Sequence, residues 1–258
     1  MLLFLSIACL VPWVGWSLVS FGFVSPSSPL AVPLYLTGWA CSIGGFIATY
    51  REEGNRGVMK LLREATRTQV PIRFWMYVVL LPIVCEVVAA LVYLGLTGTP
   101  LVVKPAAIRG FFSPALLGTF LFGPLGEEFG WRGYLLPRFV DRFSGVPACL
   151  GVGVIWGLWH WPLFAHNVAM PATWAQFLIG VPALSFLIGA VYLRTRSLFL
   201  TMVMHWSFNS AHDLVAGPLL SVPQGTLSSL FTLCSTGVLL LLAMTTIPWL
   251  RAVQRQPA

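Results

Sequence analysis

Six ionisable side chains stand inside long apolar runs: Glu86, Glu127, Glu128, Arg132, His160 and His205, with Asn209 as a neutral companion. An ionised group at the centre of a bilayer costs roughly 2.5–3.5 kcal/mol even on forgiving scales. Such residues therefore pair with one another or serve a site or a pathway. A carboxylate, two imidazoles and an amide suit hydrolysis of an acyl bond. The carboxylate takes a proton from water, a histidine orients that water, and His and Asn donors stabilise the oxyanion as it develops. The same kinds of side chain could instead hold Zn²⁺ as a His₂–carboxylate site with an open position for water. Both mechanisms stay open at this level. No Ser or Cys stands beside a histidine in a nucleophile arrangement, which argues against covalent catalysis.

Spacing sorts the cluster. Glu128 and Arg132 are four residues apart, on one helix face and in the favourable order for an ion pair, while Glu127 is rotated about 100° away. Trp156 and His160 share a face in the same way, as do His205 and Asn209. At 1.5 Å per residue from the inner ends of their runs, Glu127 and Asn209 lie ~18 Å deep, His160 and Glu86 ~21 Å, and His205 ~12 Å. Helices far apart in sequence thus deliver these groups to a common slab.

Each residue also has a plain structural reading. Glu128 with Arg132 could simply brace its helix. Trp156 and Trp159 read as packing and cavity wall, and His205 or Asn209 alone as an interhelical hydrogen-bonding residue. Glu86 has three readings: a protonated packing residue, a partner for Arg132, or a member of the site. His166, His212 and Asp213 fall near the outer interface, where polar groups are cheap. Packing alone accounts poorly for Glu127, His160 and His205 together.

The elements that must position these groups follow from composition. The 258 residues are 57% hydrophobic and 9% charged, against about 25% charged in a soluble domain. Lipid must be the solvent for much of the chain. Apolar runs fall at 1–22, 30–50, 72–95, 111–139, 146–165, 174–193, 197–214 and 227–250. The expected fold is all-α, a polytopic transmembrane bundle of about eight spans. Pro114 and Pro124 interrupt the fourth run, so a kink or tilt is expected there. The first run lacks a basic leader and a clean cleavage site, and reads as a retained span. Val58, Leu61, Leu62 and Ala65 recur at helical spacing within 55–68 among Lys60, Arg63, Glu64 and Arg67. That pattern predicts an amphipathic helix on an anionic membrane surface.

Charge sets the orientation. With alternating spans, Arg51, Arg56, Lys60, Arg63, Arg67, Arg73, Arg138, Arg142, Arg194, Arg196, Arg251 and Arg255 all fall on one side. Lys104 and Arg109 fall on the other. The positive-inside rule places both termini in the cytoplasm. The net charge of +7 is spread between apolar runs rather than gathered on a soluble face, so no nucleic-acid partner is expected. The five cysteines lie singly with no Cys-x-x-Cys pair, and read as small packing residues.

The polar cluster also carries a family pattern. Gly126-Glu127-Glu128-Phe129-Gly130-Trp131-Arg132-Gly133-Tyr134-Leu135-Leu136-Pro137 resembles the Glu-Glu-x-x-x-Arg motif of the CAAX-protease and bacteriocin-processing (Abi) family, in the context typical of prokaryotic members. Trp156-Gly-Leu-Trp-His160 is similar to its second motif, with Trp156 at the aromatic position. His205-Trp-Ser-Phe-Asn209 is similar to its third, His-x-x-x-Asn. Three motifs in order across 120–215 make the resemblance specific, and the first 110 residues carry none of it.

The resemblance implies an eight-helix intramembrane endopeptidase in a prokaryotic cytoplasmic membrane, reached from the cytoplasmic side. Its partners would be the bilayer and a membrane-anchored peptide or protein. Glu127 would activate water with His160, His205 and Asn209 would stabilise the oxyanion, and Glu128, Arg132 and Trp156 would support them. Glu127, His160 and His205 would be the ligands if the enzyme used zinc; a metal-free glutamate mechanism is favoured. The implied layout is one membrane domain: spans at 1–110, a catalytic core at 111–216, and a last span and basic tail at 217–258. The competing readings are a silent scaffold or immunity protein that binds a membrane peptide, and a proton-coupled transporter. Transport is weakened by the lack of repeated halves.

Overall fold

The computed structural model describes residues 1–98, 114–165, 173–211 and 226–253. Lys104, Arg109, His166, His212, Asp213 and Arg255 lie outside them. Every regular element among the described residues is a helix, with no strand among them.

The helices are α1 (Leu2–Ser20), α2 (Ala31–Tyr35), a 3₁₀ turn (Leu36–Trp39), α3 (Ala40–Ala65) and α4 (Ile72–Thr97). The middle of the chain forms α5 (Pro114–Phe122), α6 (Pro124–Glu128), a π-helical segment (Phe129–Leu135), α7 (Leu136–Phe143), α8 (Gly145–Trp159) and α9 (Trp161–Ala165). Then come α10 (Trp174–Thr195), α11 (Leu198–Ala211), α12 (Thr226–Met244) and α13 (Ile247–Arg251).

Among the described residues, four helical stretches are long and apolar enough to cross a membrane: Leu2–Ser20, Ala31–Ala65, Ile72–Thr97 and Trp174–Thr195. Gly145–Trp159 and Ser229–Met244 are apolar but shorter. The run over 197–214 is represented by the 14 residues of α11. That over 111–139 is broken into successive pieces. Pro124 ends α5, because a proline cannot extend a helix, and takes the first turn of α6, where its missing N–H leaves no bond unmade. The wider π segment then re-aims every side chain that follows Glu128.

Gly130 shows why that segment sits where it does. A methyl on Gly130 would collide with the Cys41 side chain and carbonyl, so only glycine lets the π segment lie on α3 this closely. Phe4 of α1 closes the other side, edge-on to Trp131 at 5.7 Å and against Tyr134 at 4.8 Å between ring centroids. A proline makes the next tie. Pro12 has no N–H, so the carbonyl of Ala8, four residues earlier in α1, loses its helical partner. The indole N–H of Trp159 donates to that carbonyl at 2.6 Å, and Trp13 donates back to the Trp159 carbonyl at 2.9 Å. The end of α8 is thereby fixed against α1.

Residues 55–65 continue α3 beyond a kink at Gly54, whose φ of 63° favours glycine. Gly57, Leu61 and Glu64 face the bundle, and the Tyr192 hydroxyl donates to Glu64 at 2.8 Å. Arg56, Met59, Lys60, Leu62 and Arg63 face outward.

Candidate active site

Glu127 is the last residue but one of α6 and is 5% exposed. Its Oε2 accepts two indole N–H groups, from Trp156 at 2.6 Å and Trp131 at 3.3 Å. These donors fix the carboxylate plane from two helices. The second oxygen, Oε1, lies on the side of Gly123. A methyl placed on Gly123 would lie 3.9 Å from Glu127 Oε1 and 3.4 Å from Asn209 Nδ2, so carboxylate and amide flank one gap over that glycine. We expect Gly123→Ala to cut turnover about tenfold or more, since a displacement of about 1 Å in a site costs up to 10²-fold. The Thr119 carbonyl, 3.2 Å from the added methyl, must give slightly, so a thermal melt should fall modestly; retention of full turnover would show that the gap takes no substrate.

His160 ends α8. Its backbone N–H turns back to Gly157 at 3.1 Å, leaving the Trp156 carbonyl without its usual helical donor. The His160 ring supplies one, with Nδ1 2.8 Å from that carbonyl. A carbonyl can only accept, so Nδ1 carries the proton and Nε2 keeps its lone pair. The ring is walled by Trp159 at 4.8 Å, Phe177 at 4.9 Å and Trp16 at 6.1 Å between centroids. Glu127 and His160 line one cavity of about 450 Å³ with Trp16, Tyr35 and Trp159.

Glu128 points the other way and is fully buried. One oxygen, Oε1, receives both Arg132 at 2.8 Å and the His205 Nδ1 at 2.9 Å. The carboxylate therefore takes the Nδ1 proton of His205 in a hydrogen bond and leaves Nε2 to face other groups. Arg132 lies over the Trp156 ring at 4.4 Å, and His205 meets the same ring edge-on at 5.0 Å. Trp156 is thus the common wall between the Glu127–His160 half and the Glu128–Arg132–His205 half.

Glu86 does not pair with Arg132, whose buried carboxylate partner is Glu128. It accepts from the Ser235 hydroxyl at 2.8 Å, across to α12. With Asn209, Phe122, Gly123, Gln176 and Phe177 it lines a second cavity of about 470 Å³. Phe122 borders both cavities.

Trp156, a supporting residue by the family resemblance, holds Glu127 together with Trp131, which spacing does not single out. Trp16 and Tyr35 come from a region without motif residues, where an aromatic residue in an apolar span gives no signal of that role. Spacing likewise showed Glu128 beside Arg132 but could not show His205 on the same oxygen. As for a metal, no group of three His, Cys, Asp or Glu side chains among the described residues is placed to hold an ion together. Glu128 holds His205, and indoles occupy one oxygen of Glu127.

Residues 109–211 match the family model described as type II CAAX prenyl endopeptidase Rce1-like. This segment, less than half of the chain, is similar to the CAAX-protease family. The chain is also similar to CAAX prenyl protease 2 of Methanococcus maripaludis, 29% identical over 126 residues, which cover 45% of this chain and 43% of the relative. The chain therefore spans less than half the length of that relative. The matched family segment contains Glu127, Glu128, Arg132, Trp156, His160, His205 and Asn209, and excludes Glu86.

Proposed function

We propose that the protein is a membrane-embedded endopeptidase that hydrolyses a peptide bond of a membrane-associated or lipidated substrate. The observation that carries this reading is the pairing of Glu127, clamped through one oxygen with the other facing the gap, with a His160 whose Nε2 lone pair is free. Water held between them loses a proton to Glu127 as it attacks the carbonyl, and His160 Nε2 orients it by accepting its other O–H. The oxyanion forms on the side of His205 and Asn209: the Asn209 amide donates to it, and His205 donates from Nε2 when that nitrogen carries a second proton, Nδ1 staying on Glu128. Glu127 then passes its proton to the leaving amine, so the carboxylate is restored. Glu128 and Arg132 act through His205 and Trp156 as positioning residues. All of these steps run on side chains alone.

The same reading places about eight spans in a prokaryotic cytoplasmic membrane with both termini inside, the basic residues supporting the orientation. The catalytic core would be 111–216, open to substrate from the cytoplasmic side. The direct test is cleavage of quenched, membrane-anchored peptides by purified protein in vesicles, with Glu127→Ala and His160→Ala alongside. Cleavage that survives both substitutions would sink the site. Activity should persist in phenanthroline; its reversible loss, restored by zinc, would replace glutamate-activated water with a metal mechanism.

A further inference from the structure

We infer that the cleft between α4, α10 and α13 seats the phosphate of an anionic phospholipid. The inference is independent of the peptidase reading. The cleft has a volume of about 380 Å³ and is lined by Arg73, Phe74, Tyr77, Arg194 and Trp249, with no carboxylate among them. Arg73 lies over the Phe74 ring at 5.3 Å and Arg194 over Trp249 at 5.5 Å. Tyr77 packs against Trp249 at 6.1 Å between centroids. A guanidinium lying on an aromatic face keeps its N–H edge free, and that edge matches two phosphate oxygens. Both arginines line one cleft.

Depth favours a lipid over a soluble anion. Arg73 lies in the first turn of α4 and Arg194 in the last turn of α10, and both helices are long enough to span. Arginine, tryptophan and tyrosine at a span end mark the headgroup level. Beyond Tyr77 the same face of α4 continues as exposed Leu80 and Val84, an apolar track for an acyl chain. A bound headgroup would also hold α13 in place. That helix buries Leu250 completely, and the Val253 carbonyl just after it accepts from Gly145 at 3.1 Å, where α8 begins. The lipid would thus steady the foot of the helix that carries Trp156 and His160.

Native mass spectrometry of the detergent-solubilised full chain, titrated with phosphatidylglycerol and with phosphatidylcholine, tests this. Wild type should retain phosphatidylglycerol selectively. Arg73→Gln with Arg194→Gln should weaken it about 30-fold, near 1 kcal/mol per arginine, and leave phosphatidylcholine unchanged. Both arginines are exposed, so the variant should melt like wild type. Lys60→Gln with Arg63→Gln and Arg67→Gln is the control for diffuse surface charge and should leave binding intact. An equal loss in that control, or equal retention of the two lipids, would overturn the inference. Displacement of the lipid by inorganic phosphate at matched concentration would overturn it in favour of a soluble-anion site.

Discussion

Glu127→Gln should lower kcat for peptide cleavage by about 10³-fold, within the 10²–10⁴ span typical of losing a positioned general base, with KM little changed. Glutamine keeps the shape of the side chain. Its amide oxygen can still accept the Trp156 and Trp131 indole N–H groups that hold Glu127 Oε2 now. The wall of the site therefore stays intact. What the amide cannot do is take a proton from water. Glu127→Ala is the blunter variant, because it strands two buried indole donors at about 1–3 kcal/mol each, and any loss of activity mixes chemistry with collapse. The comparison is steady-state kinetics in vesicles beside thermal melts in the same lipid. A Gln variant that melts like wild type and keeps more than a tenth of its turnover would move the base elsewhere.

The sequence showed which residues belong together better than it showed how they meet. Energetic cost alone picked out Glu127, Glu128, Arg132, His160 and His205, because nothing about packing calls for ionisable groups in apolar helices. Periodicity then paired Glu128 with Arg132 and set Glu127 apart, and the structure places Glu127 against tryptophans and Glu128 against Arg132. Helical periodicity assumes 3.6 residues per turn, however, and Phe129–Leu135 is wider than that. The turn of that segment against α3 depends on a glycine meeting a backbone, a contact between elements that no local pattern encodes. The same holds for the tie between Trp159 and the carbonyl freed by Pro12: each residue looks ordinary alone, and only their juxtaposition fixes His160. Glu86 shows the limit most directly. Its depth matched the cluster, but depth could not reveal that it bonds Ser235 of α12 while lining the cavity of Asn209 rather than that of Glu127 and His160.

Glu128→Gln should fail twice, in stability and in activity, and the two failures can be separated. Arg132 is fully buried against that carboxylate at 2.8 Å. Removing one partner of a buried ion pair leaves a charge uncompensated and costs about 3–5 kcal/mol, so the variant should melt well below wild type. Replacing both partners, Glu128→Met with Arg132→Met, removes the stranded charge. Burying matched apolar side chains in place of an ion pair is often neutral or better, so most of the lost stability should return. Activity should not return with it. His205 would have lost the acceptor 2.9 Å from Nδ1 that sets its tautomer and its aim. Losses of about 10–100-fold follow when such an orienting partner is removed from a functional histidine. Melting temperature and kcat/KM measured on wild type, Glu128→Met, Arg132→Met and the double variant form a cycle that reads the coupling in each quantity, with Glu128→Gln beside it. If Glu128 were only a brace for its own helix, the double variant would recover cleavage along with stability. A positioning role requires that it recover stability alone.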